Sequence, residues 1–178
     1  MPPARSAPPA YWCAADLRLS GARPAGWPDL QEGLIARLEV APGPDVLHAA
    51  RELTARCLAD WGMPDLEWDA VTIVSELLTN AVTHAPPPAP DQAGALGMRL
   101  LGGRGALAIV VTDPGVRAPV LRRAPAEDDL DACCDLLLAE GGRGLHIVDG
   151  LSRAWGWAPL LTGGKAVWAV LGHAEPPR

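Results

Sequence analysis

The sequence predicts an α+β fold, a two-layer sandwich with helices on one face of a mixed β-sheet. Three observations predict it. Two long stretches with helical periodicity come early, at 46–61 and 66–84. Four short apolar runs come late, in pairs around glycine-rich loops: ALGMRLL (95–101) with ALAIVVTD (106–113), and AWGWAPLL (154–161) with AVWAVLG (166–172). LIARLEV (34–40) alternates loosely and adds a further strand.

Each element has a local reason. Asp45 stands where it can cap the first helix, whose apolar positions are Val46, Leu47, Ala50, Leu53, Cys57 and Leu58. Gly62, Met63 and Pro64 break that helix, and Asp65 can cap the next. The proline run at 86–90 ends the second helix. ALAIVVTD is apolar on both faces, so it belongs in the middle of the sheet, and Pro114-Gly115 stops it. EGGRG (140–144) opens a third helix, 145–153. Between them, 116–141 is rich in Arg, Pro and Asp, with a short helix expected over DDLDACCDLLLAE.

The bulk numbers exclude some function classes. Formal net charge is −6 and the pI about 5.1, with no basic patch, which argues against direct nucleic-acid binding. No apolar run approaches the ~20 residues that span a bilayer. The first 33 residues lack an apolar signal core and read as a loose tail, so a cytoplasmic protein is expected. Cys13, Cys57, Cys133 and Cys134 have no metal-ligand spacing, and they read as reduced thiols.

Three features stand out against this background. The helix 66–84 has a wide core-facing stripe at 70, 73, 74, 77, 78 and 81, plus 71 and 82. Its other face holds Asp69, Thr72, Glu76, Asn80 and Thr83, with Glu76 and Asn80 one turn apart. That stripe is either a wet outer surface or the floor of a site. Thr and Asn are poor helix formers, so their presence asks for a reason beyond solubility. Asp113 ends the central strand, where an acid makes an Asx-turn or offers an acceptor to a ligand. Gly142 and Gly144 precede a helix, where backbone N–H groups and the helix dipole suit phosphate. The other Gly-Gly loops, 102–105 and 162–165, lie between strands and read as plain hairpin loops.

Taken in order, Glu-x-x-x-Asn on a helix, Asp-x-Gly after a strand and Gly-x-Gly before a helix resemble the GHKL ATPase superfamily. SELLTNAVTHA, VTDPGVRAPVLRR, GGRGLHIVDGLSRAWGW and GGKAVWAVL look most like its anti-sigma-factor serine/threonine kinase branch, over roughly residues 35 to 172. The resemblance implies the histidine kinase-like ATPase fold, with ATP and Mg²⁺ as ligands. It makes Glu76 the general base and Asn80 the Mg²⁺ ligand. Asp113 would accept from the adenine amino group, and Gly115 would let the chain turn close to the base. Gly142, Arg143, Gly144 and Leu145 would wrap the triphosphate, under a lid at about 116–141. The domain would run over 34–173, between tails 1–33 and 174–178. The protein partner implied is a sigma factor or an anti-anti-sigma protein, and a homodimer is compatible with that reading.

The chain departs from the family pattern at two places. Asp-x-Gly-x-Gly is here Asp113-Pro-Gly-Val-Arg117, so the second glycine is lost. The last strand, GGKAVW, puts Ala166 where the family carries a Thr that helps hold adenine through water. Three functions compete: a protein kinase, an ATP-responsive module that sequesters a partner without phosphorylating it, and the transmitter half of a histidine kinase. The last is opposed by the lack of a preceding helix pair with a phosphoacceptor His. His48 and His84 sit inside or at the end of predicted helices.

Overall fold

ALAIVVTD becomes the middle of the five strands among the described residues. A computed structural model describes residues 34–40, 43, 45–84, 96–103, 105–121 and 143–172. In chain order these give β1 (Leu34–Val40), α1 (Val46–Asp60), a 3₁₀ turn (Pro64–Leu66), α2 (Glu67–His84), β2 (Leu96–Gly103), β3 (Ala106–Asp113), α3 (Gly144–Leu151), β4 (Ala154–Pro159) and β5 (Lys165–Gly172). The strands lie side by side in the order β1-β2-β3-β5-β4.

Every described pairing is antiparallel, which corrects the expected mixed sheet. The reason lies in the connections. Tight hairpins force β2 against β3 and β4 against β5 in opposite directions. Two helices separate β1 from β2, not the single crossover helix of a parallel pair.

Side-chain alternation sorts the sheet into two faces. Leu107, Ile109 and Val111 of β3, with Val167, Ala169 and Leu171 of β5, join a core that includes Ala50, Leu58, Ile73, Leu77 and Val148 from the helices. Ala108, Val110, Ala166, Trp168 and Val170 form a second buried cluster. All three helices contribute to the first cluster, and α2 packs against α1, α3, β3 and β5. The helix α2 therefore lies at the centre of its layer. Its buried stripe is Ala70, Ile73, Val74, Leu77, Leu78 and Ala81, as its periodicity predicts. Val71 is only half-buried and Val82 is exposed, so the stripe is narrower than the sequence suggested.

Both expected aspartate caps are corrected. Asp45 occupies the N-cap of α1 in a helical conformation, φ −87° and ψ −8°, and makes no side-chain capping bond. A capping side chain normally needs extended backbone at that position. Asp65 lies inside the 3₁₀ turn that Pro64 opens, one element before α2. The thiol of Cys57 is free and buried in the core under α1. Burial pushes its pKa up, nearby Asp60 adds to this, and Arg56 opposes it. The other cysteines, the helix expected at 128–140 and the proline run at 86–90 lie outside the described residues. So does the expected lid except for 116–121, which have no regular structure. No described helix is long and apolar enough to cross a membrane.

Candidate functional site

Glu76 and Asn80 share one face of α2 because four residues make about one helical turn. Both are half-buried. What covers them is the start of α3. A Cβ added at Gly144 would lie 2.6 Å from Glu76 Oε2, 3.3 Å from Asn80 Nδ2 and 3.6 Å from Asn80 Oδ1. The bare backbone of Gly144 thus faces both side chains, and any side chain at residue 144 would crowd them.

The other polar residues of α2 have local reasons. Thr72 Oγ1 donates to the Trp68 carbonyl at 2.8 Å. Ser75 Oγ donates to the Val71 carbonyl at 2.7 Å and accepts from Arg51 Nε at 2.7 Å, tying α1 to α2. Such back-bonding accounts for hydroxyl residues within a helix without a ligand. Thr79 and Thr83 are exposed. Of that stripe, Glu76 and Asn80 are the two that meet Gly144.

A second cluster forms at the end of α2. Asp113 is buried at the end of β3 and makes the Asx-turn, its Oδ1 accepting from the Gly115 N–H at 2.7 Å. The same Oδ1 accepts from Lys165 Nζ at 2.7 Å, and Nζ also donates to the Gly115 carbonyl at 3.2 Å. Side-chain exposure is 8% for Lys165 and 2% for Asp113, so this is a buried ion pair. A Cβ on Gly115 would lie 2.7 Å from Asp113 Oδ1, 2.9 Å from Lys165 Nζ and 3.6 Å from the His84 carbonyl. The Asp113 corner therefore meets the last residue of α2. Glu76 and His84 are eight residues apart, or about 12 Å along the helix axis.

Lys165 was missed as a site residue, although it is the only lysine in the chain. TGGK is a hairpin loop, as expected, with Leu160 N–H on the Gly164 carbonyl at 3.1 Å and Gly163 N–H on the Leu160 carbonyl at 3.1 Å. Yet its last residue opens β5 directly opposite Asp113. Gly164 makes that approach possible. Its φ of +80° favours glycine, and a Cβ there would collide with the Asp113 carbonyl and with the Pro114 Cα.

The same register corrects the reading of Ala166. It pairs with Thr112, and its side chain belongs to the second cluster with Ala108, Val110 and Trp168. Asp113 and Lys165 point to the helix side, so Ala166 faces away from them and removes no bond from that corner. Arg143 is exposed at the N-cap of α3, and its carbonyl accepts from the Ile147 N–H at 3.0 Å. Leu145 packs half-buried against the core. Gly142 lies outside the described residues. Arg117 is exposed. Among the described residues, no group of three His, Cys, Asp or Glu is placed to hold a metal ion.

A helical layer over an antiparallel sheet, with one polar cluster between α2 and the start of α3 and another where Asp113 meets the end of α2, defines a class: an α+β two-layer sandwich. A profile of the histidine kinase-like ATPase domain matches residues 40–170. The chain belongs to that family, and domains of this family bind ATP, usually with Mg²⁺. No curated protein matches the chain.

Gly144→Ala is expected to leave the fold nearly intact, because the atom it meets is the free end of a flexible glutamate and Ala is the better helix former. The methyl should push Glu76 and Asn80 aside and weaken ATP binding about tenfold, ~1.4 kcal/mol. Calorimetric titration with Mg-ATP checks the affinity and a melting curve the fold. Unchanged affinity would place the phosphates elsewhere.

Proposed function

We propose that the protein is an ATP-dependent protein serine/threonine kinase of the anti-sigma-factor type, which phosphorylates or sequesters a partner in transcription control. The observation that supports it best is the placement of two dissimilar clusters along one helix. Glu76 and Asn80 lie under Gly144 near the middle of α2, and Asp113 lies by its end. That separation suits a nucleotide, with phosphates at one cluster and the base at the other. The residues also fit the group chemically: an acid to accept from an amino group, an amide oxygen for a hard cation, and bare glycine backbone beside both.

Bound Mg-ATP would supply the phosphoryl group to be transferred. Asn80 offers one neutral oxygen to Mg²⁺, which keeps several waters and takes few protein ligands. Asp113 accepts from the adenine amino group, and Gly115 gives the base room. Backbone N–H groups of residues 143–145, at the start of α3, would meet the phosphates, a role the resemblance also gives to Gly142. Glu76 is the general base: it orients an incoming serine or threonine hydroxyl and takes its proton, which requires hydrogen-bond reach. The site acts in the cytoplasm, and the partner is a sigma factor or an anti-anti-sigma protein.

A second reading is an ATP-responsive module that holds its partner without phosphorylating it. The replacement of the second glycine of Asp-x-Gly-x-Gly by exposed Arg117 favours it. Incubation with labelled ATP, Mg²⁺ and candidate partners separates the two. The kinase reading expects label on a serine or threonine of one partner. Release of a partner on ATP addition, with no label on any, would give the case to the second reading.

A further inference from the structure

Asp113 is held on one oxygen only. Gly115 N–H and Lys165 Nζ both reach Oδ1, each at 2.7 Å, and none of the described hydrogen bonds falls on Oδ2. Lys165 is similarly half-used. An ammonium has three N–H donors, and the described bonds occupy two of them, one to Oδ1 and one to the Gly115 carbonyl at 3.2 Å. The corner thus offers one acceptor, Oδ2, beside one donor, the third N–H of Lys165. Both groups are buried, where an unpaired or mispaired polar contact is costly.

An acceptor beside a donor is the complement of the Watson–Crick edge of adenine, which presents the 6-amino donor next to the N1 acceptor. Guanine in the same pose presents a carbonyl oxygen to Oδ2 and an N–H to the ammonium, two mismatches at once. We propose that Lys165 is a second base-reading residue: it donates to adenine N1 while Asp113 Oδ2 accepts from the 6-amino group. This rests on the reading of the Asp113 corner as the base site. The plainer role is that Lys165 only neutralises Asp113. It accounts for the pair on Oδ1, but leaves Oδ2 and the third ammonium donor without a described partner.

The roles are separated by nucleotide analogues in calorimetric titration of the full chain. 1-Deaza-ATP keeps the amino group and replaces N1 by C–H. Purine riboside triphosphate keeps N1 and lacks the amino group. Wild type is expected to bind each at least tenfold more weakly than ATP. Lys165→Met is expected to bind 1-deaza-ATP and ATP alike, while still disfavouring the purine riboside. The wild-type arm needs no variant, so the test holds even where Lys165→Met folds poorly. Equal wild-type affinity for ATP and 1-deaza-ATP overturns the proposal and leaves the base site standing. So does an equal loss with 1-deaza-ATP in wild type and Lys165→Met. Affinity indifferent to both analogues, or no binding of ATP at all, overturns the base-site reading along with it.

Discussion

Asp113→Ala is expected to lower the melting temperature more than any other substitution in the site. It leaves the Lys165 ammonium buried, at 8% side-chain exposure, without its counter-charge. Removing one partner of a buried ion pair costs about 3–5 kcal/mol. For a chain of this size that is roughly 6–20 °C. Solvent screening gives little relief, since both side chains are more than nine-tenths buried. The double variant Asp113→Ala, Lys165→Met should recover much of the loss, because neither charge then remains. Melting curves of wild type, both single variants and the double variant check this. A double variant whose loss equals the sum of the singles would show that the two side chains are not coupled.

Glu76→Gln carries the largest expected effect on activity. The amide keeps the size and shape of the carboxylate beside Gly144 but cannot take a proton. Loss of a general base typically lowers the rate by about 10²–10⁴-fold. Mg-ATP affinity should hold within about threefold, since in the proposed site backbone N–H groups meet the phosphates and Asn80 holds the Mg²⁺. Phosphoryl transfer to the partner, measured in a single turnover at saturating ATP, reads the chemical step. Equal rates in wild type and variant would remove Glu76 from that role.

What was legible in the sequence, and what was not, follows from the range of the interactions. The α2 stripe from Ala70 to Ala81 was legible because helical periodicity is local. The central place of β3 was legible because a strand buried on both faces is apolar throughout. Sheet direction was not, because it depends on how β1 returns to β2 through two helices. Glu76, Asn80, Asp113 and Gly144, the first residue of α3, were singled out by their order in the chain. Nothing in that order says that Gly144 lies against Glu76, or that Asp113 shares its Oδ1 with Lys165. Lys165 and Ala166 were misjudged for one reason. Their faces depend on the β3–β5 register, a pairing of residues 52 apart, and a shift of one position exchanges the two faces. The missing caps at Asp45 and Asp65 show the opposite limit, where a favourable residue type was present but the backbone conformation was not.

The central claim is that the Gly144 cluster and the Asp113 corner are the two ends of one ATP site. Its most direct test is the melting temperature of the wild-type chain in millimolar ATP, with and without Mg²⁺, and in GTP. A ligand present at 100 times its Kd stabilises the native state by about 2.7 kcal/mol. ATP with Mg²⁺ is therefore expected to raise the melting temperature by roughly 5–11 °C. ATP with EDTA should raise it less, and GTP least. No shift with Mg-ATP, or equal shifts with ATP and GTP, would contradict the account.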